Sequence, residues 1–343
     1  MRYRKLGSSD LMVSELCLGT MTYGEQNTPE DAFRQLEYAF AHGVNFIDTA
    51  EMYPVAPRAE TQGRTEEYVG RWLVKQQRDK VILATKVTGP ARGFDWIRGG
   101  PRITPEHIDA AVDASLKRLQ TDYIDLYQIH WPDRNVPMFG QAAYDPRAER
   151  ATTPIDEQLA ALGSLVKAGK IRHVGLSNET PWGVLRFIRA SEEAGLPRVV
   201  SIQNAHNLIN RIFEYGLAET CHREHVGLLA YSPLGFGTLS GKYLAGNGVG
   251  RMTLFPGFGQ RYSKPNVPEA AAAYAALANN AGLRPATLAL AFVRSRWFVT
   301  STIIGATTMA QLEENIASVA VEIGTDVLQE IQAIHARYPN PAP

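Results

Sequence analysis

Short apolar runs alternate along the chain with longer segments whose apolar residues recur at helical spacing. A short apolar run is typical of a strand buried on both faces, and the helical period is typical of a helix with one face on the core. The segment Pro105–Leu119 shows the helical pattern, because Ile108, Ala111, Val112 and Leu116 fall on one stripe. Further helices are predicted over Pro29–His42, near Thr65–Lys75 and over Pro154–Ala168.

The apolar runs give eight strand candidates, each followed by a helical segment. They are Glu15–Leu18, Asn45–Asp48, Val81–Lys86, Tyr123–His130, Ile171–Leu176, Val199–Gln203, Val226–Ala230 and Thr302–Ile304. Repeated strand–helix units with short connections predict a parallel sheet. No GxGxxG motif is present, since the run that begins at Gly235 and Gly237 has Ser240 in the third glycine position. The pattern therefore favours an α/β fold of the (β/α)8 TIM-barrel type over an open doubly wound sheet.

The segments Tyr3–Leu6 and Met12–Ser14 flank a turn sequence and predict a β-hairpin that caps the barrel bottom. We find no linker and no internal repeat, so we expect a single domain over residues 1–343.

Composition narrows the class of protein. The 35 basic and 35 acidic residues give zero net charge, which argues against nucleic-acid and membrane-surface partners. The two cysteines form no CxxC pair, and neither a signal peptide nor an apolar stretch long enough to span a bilayer is visible, so we expect a cytoplasmic protein. Cys221, His222 and His225 lack a fourth ligand, so we interpret them as a solvated helix end and predict no metal site.

Ionisable side chains stand at the ends of three predicted strands. Asp48, Lys86 and His130 each close a strand, and Tyr53 follows Asp48 by five positions. In a barrel these strand ends share one mouth, where catalysis usually occurs. A neighbouring lysine ammonium lowers the pKa of a tyrosine from its ordinary value of about 10, and a histidine can orient a carbonyl oxygen. One such residue at a strand end is usually structural, but the four together predict proton-transfer chemistry.

Three long irregular segments leave the same strand ends and predict functional loops: Thr88–Thr104, Pro132–Thr153 and Ala245–Val267.

Several blocks of sequence resemble the aldo-keto reductase family. They are GVNFIDTAEMY (Gly43–Tyr53), VILATK (Val81–Lys86), DYIDLYQIHWP (Asp122–Pro132), GKIRHVGLSN (Gly169–Asn178), IQNAHNLINR (Ile202–Arg211), LLAYSPLGFGTLSGKY (Leu228–Tyr243) and STIIGATTMAQLEENI (Ser301–Ile316). They stand in family order over almost the whole chain, and MTYGEQNT and ETQGRTE resemble the bacterial Tas-type subgroup. The resemblance implies NADPH-dependent reduction of aldehydes or ketones to alcohols in a (β/α)8 barrel.

The resemblance also assigns roles to residues. It implies that Asp48, Tyr53, Lys86 and His130 are catalytic, with Tyr53 as general acid, Lys86 and Asp48 tuning its pKa, and His130 orienting the substrate. It implies contacts to NADPH from Gly19, Thr20, Met21, Asp48, Ser177, Asn178, Gln203, Tyr231, Ser232, Pro233, Leu234, Gly235, Lys242, Arg251, Gly305, Thr307, Gln311, Glu314 and Asn315. We expect Tyr23, Met52 and Trp131 to line the substrate mouth, because they stand beside Gly24, Tyr53 and His130; the alternative is that they are core residues.

One departure from the family pattern bears on the cofactor. Many members carry basic residues near the positions of Gly305 and Gln311 to meet the 2′-phosphate, and this chain does not. It resembles in this respect the branch that contains potassium-channel β subunits, where the loop after SGKY contributes, and that loop supplies Arg251 here. The strength of the preference for NADPH over NADH is therefore left open.

Two further interpretations remain for the function. The resemblance to channel β subunits leaves as the alternative a nicotinamide-binding regulatory subunit that senses redox state with little turnover. We also predict that the loop Pro132–Thr153 forms part of the substrate rim, where Phe139, Tyr144 and Tyr23 would favour an apolar or aromatic carbonyl. The alternative is that Phe139 and Tyr144 only anchor the loop. The sequence names neither the physiological aldehyde or ketone nor the subunit count, and a homo-oligomer stays open.

Overall fold

The chain folds into a closed barrel of eight parallel strands surrounded by helices, with an antiparallel hairpin in front of it. The computed structural model describes residues 1–91 and 93–343. The strands are β1 (Tyr3–Lys5), β2 (Met12–Ser14), β3 (Leu16–Gly19), β4 (Phe46–Asp48), β5 (Ile82–Val87), β6 (Ile124–Ile129), β7 (Ile171–Ser177), β8 (Val199–Ala205), β9 (Gly227–Tyr231) and β10 (Val299–Ile304). The barrel order is β10-β3-β4-β5-β6-β7-β8-β9, which confirms the predicted (β/α)8 architecture.

The helices pack around the outside of the barrel. They are α1 (Pro29–Ala41), α2 (Arg64–Leu73), α3 (Pro105–Leu119), α4 (Ile155–Lys167), α5 (Pro181–Ala194), α6 (Leu217–Arg223), α7 (Arg251–Leu254), α8 (Val267–Asn280), α9 (Pro285–Ser295), α10 (Met309–Ala317) and α11 (Thr325–Arg337). Several begin with a threonine cap followed by proline, as at Thr104 and Thr180, whose side chains accept from the backbone N–H three residues on. Among the described residues, no helix is long and apolar enough to cross a membrane.

The hairpin of β1 and β2 closes the bottom of the barrel. Leu6, Leu11 and Val13 from this segment form one apolar cluster with inward-facing strand residues such as Cys17 and Phe46. At Gly7, which has a φ of 54°, an added Cβ would lie 2.0 Å from the Val200 carbonyl oxygen, so only glycine allows this close approach. The predicted position of the hairpin is confirmed.

Strand ends differ from the sequence-based prediction where polar residues continue the backbone pairing. β8 runs on to Ala205, which pairs with Tyr231 of β9, although its apolar run stops earlier. β10 begins at Val299, before the predicted start, because Ser301 is buried with its hydroxyl donating to the Ser14 carbonyl. Lys86 is not the last residue of β5, which ends at Val87, and His130 lies just beyond β6. Hydrophobic patterning follows side chains, whereas strand ends are set by backbone pairing.

Candidate active site at the barrel mouth

Lys86 and Asp48 form an ion pair inside the barrel. Lys86 Nζ lies 2.6 Å from Asp48 Oδ2 and donates a second hydrogen bond of 2.7 Å to the Thr49 carbonyl. The Lys86 side chain is fully buried. Burial by itself would lower the pKa of Lys86, but the charges of Asp48 and Tyr53 more than offset it and raise this pKa above its ordinary value. The Lys86 side chain is therefore a buried cation at neutral pH.

The second carboxylate oxygen of Asp48 is held by two glutamines. Gln203 Nε2 lies 2.8 Å from Asp48 Oδ1, and Gln128 Nε2 lies 3.1 Å from the same atom. Gln128 was not among the residues predicted from sequence. Its signal was a buried polar residue two positions before His130, on the same face of the strand. These bonds fix the orientation of Asp48 and thus of Lys86.

Tyr53 stands in the turn after β4 with its ring beside Lys86. Its backbone N–H donates to the Ala50 carbonyl, and its carbonyl accepts from the Gly63 N–H. These two hydrogen bonds fix the backbone of Tyr53. Lys86 Nζ lies 5.1 Å from the centroid of the Tyr53 ring.

The pKa of the Tyr53 phenol is raised, chiefly by burial, and Lys86 opposes this rise. We expected Lys86 to lower the pKa of Tyr53, and it does act in that direction. The net shift is nevertheless upward, because the ring is withdrawn from water and Asp48 also disfavours the phenolate.

His130 meets Tyr53 edge-on at the same mouth. The two ring centroids lie 5.6 Å apart with an interplanar angle of 79°. Asn178 Nδ2 donates to the His130 carbonyl at 2.9 Å, which fixes the backbone at the end of β6. Burial, and secondarily the charge of Lys86, hold the pKa of His130 well below its ordinary value, so the imidazole is neutral at physiological pH. A neutral imidazole has one N–H group, which can donate a hydrogen bond to a carbonyl oxygen.

An apolar group of side chains surrounds the Tyr53 ring, and we call it the mouth cluster. Its buried members are Ala50, Met52, Tyr53, Val55, Ile97 and Trp131, and its partly buried members include Met21, Phe94, Met138 and Phe258. Trp131 is fixed by a hydrogen bond of 3.0 Å from its Nε1 to the Pro90 carbonyl. The structure therefore brings Met52 and Trp131, two of the expected substrate residues, to the side of Tyr53.

Tyr23, the third residue expected at the substrate mouth, lies elsewhere. Its side chain is fully buried, belongs to the main core between strands and helices, and donates a hydrogen bond of 3.1 Å to Gln35 of α1. The expectation is corrected on this point. The turn after β3 directs Tyr23 toward α1 and directs Met21 toward the mouth cluster.

The residues expected to hold the nicotinamide form one hydrogen-bonded group across three strands. Asn178, with a φ of 53°, accepts a hydrogen bond of 2.6 Å from the Tyr231 hydroxyl at its Oδ1 atom. Ser177 donates to the Gln203 carbonyl at 2.8 Å, and Asn178 Nδ2 donates to Ser177 Oγ at 3.1 Å. Because Gln203 also bonds Asp48, this group is continuous with the ion pair of Lys86.

The loop after β9 contains several residues in the left-handed region. Positive φ angles occur at Ser232, Gly235, Phe236 and Gly237. Successive backbone N–H groups in such conformations form concave anion-binding sites. Pro233 and Leu234 lie within this loop, which therefore joins four of the expected phosphate contacts in one backbone turn.

The Lys242 side chain packs against the backbone of the same loop at Gly237 and against Gly250. A Cβ added at Gly237 would lie 2.5 Å from Lys242 Cε, and one added at Gly250 would lie 2.3 Å from Lys242 Nζ. The guanidinium of Arg251 lies 4.6 Å from the ring centroid of Phe236. Within residues 1–91 and 93–343, neither cation has an acidic partner.

The residues expected around the adenosine lie where β10 meets α10. Asn315 is buried and donates to the Gly305 carbonyl at 3.1 Å, and Gln311 Oε1 accepts from the Thr307 backbone at 2.9 Å. Glu314 pairs with Arg284 at 3.2 Å, so an arginine that sequence reasoning missed stands beside this group.

Gly19 and Thr20 border the same side of the mouth. Gly305 lies close to Gly19, because a Cβ added at Gly305 would lie 3.8 Å from the Gly19 carbonyl oxygen. Thr20 is buried and donates from its hydroxyl to the Asp48 carbonyl at 2.9 Å. Thr20 thus supports the end of β4 and does not face solvent.

Buried carboxylates fasten two of the long loops to the barrel. Glu51 accepts from Thr88 N at 2.6 Å and from both terminal nitrogens of Arg98. Asp133 accepts from Arg102 and from the backbone of Thr153 at 2.7 Å. Both segments 88–104 and 132–153 are therefore held at the mouth by charge.

The barrel, the charged group within it and the aromatic mouth define an oxidoreductase of a known class. The aldo/keto reductase family model matches residues 15–336, and the chain belongs to this family. It is 52% identical to protein tas of Escherichia coli (strain K12), with 100% of both chains covered. It is 31% identical to the oxidoreductase YrpG of Bacillus subtilis, covering 99% of this chain and 97% of that protein. It is 30% identical to norsolorinic acid reductase B of Dothistroma septosporum, covering 98% of this chain and 82% of that protein.

Proposed function

We propose that the protein reduces aldehydes or ketones to alcohols with NADPH, and that Tyr53 donates the proton. The observation that carries this proposal is the buried pair of Lys86 and Asp48 directly beside the Tyr53 ring and the neutral His130. A charged group withdrawn from water is unfavourable unless it is paired, so such sites are commonly functional.

Features of the mouth support a nicotinamide nucleotide as cofactor. The loop of residues 232–237, with positive φ angles at four positions, and the nearby Lys242, which has no acidic partner among the described residues, fit the charge of a pyrophosphate. Ser177, Asn178 and Gln203 offer amide and hydroxyl groups for a carboxamide, and Tyr231 offers a ring for stacking. When bound, NADPH supplies the hydride for the carbonyl carbon.

The residues of the chain would then complete the reduction. His130 is neutral and would donate a hydrogen bond that orients the carbonyl oxygen. The raised pKa of Tyr53 keeps its phenol protonated at neutral pH, so it has a proton to give as negative charge develops on that oxygen. The Lys86 ammonium would then stabilise the phenolate that remains, because it is fixed beside the ring before the reaction starts.

A spectrophotometric screen of NADPH oxidation tests this proposal directly. Aldehydes, ketones, quinones and sugar-derived carbonyls would be supplied in excess, and NADH would replace NADPH in parallel. We expect many turnovers per protein molecule with at least one carbonyl class. Stoichiometric oxidation of bound cofactor without further turnover would instead favour the redox-sensing subunit and contradict the enzyme.

A further inference from the structure

Two adjoining cavities border the segment 132–153, one against the segment 245–267 and the other mainly against residues 178–181 and 204–217. The larger has a volume of about 340 Å³ and the smaller about 200 Å³. Both are lined by Met138, Phe139, Gln141 and Arg261. The smaller cavity also reaches Asn178 and Tyr231, so it opens onto the proposed nicotinamide subsite. Arg261 lines both cavities, and the smaller one reaches the barrel mouth at Asn178 and Tyr231.

Arg261 is a buried cation without an anionic partner. Its relative exposure is 8%, yet its side chain makes no ion pair and no hydrogen bond to any residue of the described chain. Some arginine nitrogens of this protein are buried without a hydrogen-bond partner, for example at Arg98 and Arg294. No nitrogen of Arg261 is among them. The Arg261 nitrogens are therefore accessible to solvent, and Arg261 lines both cavities.

Three other arginines around the mouth are neutralised, whereas Arg251, on the proposed cofactor side, has no acidic partner in the described chain. Arg98 pairs with Glu51, Arg102 pairs with Asp133, and Arg134 pairs with Glu179, which lines the smaller cavity. The described lining of the larger cavity includes the cations Arg261 and Lys264 and no acidic side chain. The planar donors of an accessible guanidinium without a counter-charge suit carboxylate and phosphate groups.

A line of aromatic contacts connects Arg261 to the catalytic group. Its guanidinium lies 5.8 Å from the Phe139 ring centroid. The ring centroids of Phe139 and Trp131 are also 5.8 Å apart. The ring centroids of Trp131 and His130 are 4.9 Å apart, and the His130 ring contacts Tyr53. A ligand that bridges the two ends would therefore pass along an apolar wall.

We propose that Arg261 determines substrate specificity by binding an anionic group, a carboxylate or a phosphate, at the far end of the carbonyl substrate. The substrate would carry its aldehyde or ketone at Tyr53, an apolar body along Trp131 and Phe139, and its negative charge at Arg261. This inference rests on the proposed reductase function and adds the chemical class of the substrate.

The test compares matched anionic and neutral carbonyls in the full chain with NADPH. The carboxylate arm uses para-carboxybenzaldehyde and its biphenyl homologue, each against its methyl ester. The phosphate arm uses glyceraldehyde phosphate against glyceraldehyde. Each pair is measured with wild type, Arg261→Gln, Arg261→Lys and the control Arg189→Gln, which removes an exposed arginine on α5. Thermal melting establishes that each variant is folded.

We expect the wild type to prefer the anionic member of at least one arm. Arg261→Gln should lower kcat/KM for that member roughly ten- to hundred-fold and leave its neutral partner nearly unchanged. Arg261→Lys should restore part of the loss through KM, and Arg189→Gln should change nothing. The arm that responds identifies the anion as carboxylate or phosphate.

Other results would overturn the proposal. Equal losses for both members of a pair would mean that Arg261 only supports the loops. Turnover of the neutral aldehydes by the wild type without preference for either anion would contradict the proposal even if Arg261→Gln fails to fold, and would leave the reductase function intact. No NADPH oxidation with any of these carbonyls would overturn the reductase function and this proposal with it.

Discussion

The Nζ atom of Lys86 lies 2.6 Å from Asp48 Oδ2, and the lysine side chain has no contact with solvent. The pair joins neighbouring strands, since Asp48 ends β4 and Lys86 lies on β5. Both charges have been taken out of water, so each depends on the other and on the glutamines that bond Asp48. This dependence makes the pair important for the stability of the barrel mouth, in addition to the catalytic role that we propose for it.

We predict that Asp48→Asn destabilises the protein by about 3–5 kcal/mol, because it leaves the Lys86 ammonium buried without its counter-charge. Urea denaturation measures the free energy of unfolding. The double variant Asp48→Asn with Lys86→Met removes both charges and should recover part of the loss. If the single variant is as stable as the wild type, the pair is not maintained in solution.

We predict that Tyr53→Phe removes carbonyl reduction and leaves NADPH binding nearly unchanged. The ring and its packing stay while the proton donor is lost, and general acid catalysis is typically worth roughly 10²–10⁴-fold in rate. Steady-state turnover and quenching of protein fluorescence by NADPH measure the two effects, with the exposed Tyr144→Phe as control. Retention of more than about a tenth of the wild-type turnover would exclude Tyr53 as the acid of a rate-limiting chemical step.

The sequence located the ion pair better than the loops around it, for a physical reason. Asp48, Lys86 and His130 follow from strand periodicity, because parallel strands of a barrel end at one mouth. Tyr23 was misassigned, since no periodic pattern tells which way a side chain in an irregular turn faces. Arg261 was not found, because its surroundings depend on two long loops that meet only in the folded chain.

The sign of the Tyr53 shift likewise required the structure. Residue types alone suggested that Lys86 would lower the pKa of Tyr53, but burial outweighs the lysine and raises it. The extent of burial is set by the mouth cluster, including Phe258 from the segment 245–267, which lies far from Tyr53 in sequence.

We predict that stability falls as the pH drops below the ordinary histidine pKa of 6.5, in part because of His130. Burial lowers the pKa of His130 in the folded state, so below 6.5 the unfolded chain takes up a proton that the folded chain resists. The contribution is therefore complete above 6.5 and is lost as the pH falls toward the folded value. His206 is buried with a lowered pKa and acts in the same direction.

Thermal melts at a pH above and a pH below this value measure the effect. His130→Gln should reduce the difference between the two melting temperatures, whereas His222→Gln, on the exposed side of α6, should not. An unchanged difference in His130→Gln would mean that His130 is protonated equally in both states.

We predict that Arg251→Ala weakens NADPH binding about ten-fold or more and changes NADH binding little. The Arg251 guanidinium rests on Phe236 with no acidic partner in the described chain, and a charge-assisted hydrogen bond contributes roughly 1.5–3 kcal/mol. Fluorescence titration with both cofactors measures the difference. Arg284→Ala is the matched comparison, since Arg284 already pairs with Glu314 at the adenosine side. Equal weakening of NADPH and NADH would assign Arg251 to the pyrophosphate or to the loop.

The segment 132–153 carries two aromatics whose surroundings differ. Phe139 lines both cavities and meets Trp131 edge-on at 5.8 Å, whereas Tyr144 lines neither cavity and donates its hydroxyl to Glu149. The sequence-based expectation treated Phe139 and Tyr144 as one wall with Tyr23. Of these three residues, Phe139 is the one that lines the two cavities and contacts Trp131.

We therefore predict that Phe139→Ala raises KM for bulky aromatic aldehydes roughly ten-fold and leaves KM for methylglyoxal nearly unchanged. A small aldehyde would not extend past Trp131, so it would lose no contact when the Phe139 ring is removed, whereas an aromatic substrate would lose a ring-sized part of its apolar wall. Steady-state kinetics with both substrates provide the measurement, and Tyr144→Ala is the control because Tyr144 lies in the same loop outside the cavities. Equal increases of KM for both aldehydes in a variant that melts normally would show that Phe139 holds the loop and does not select the substrate.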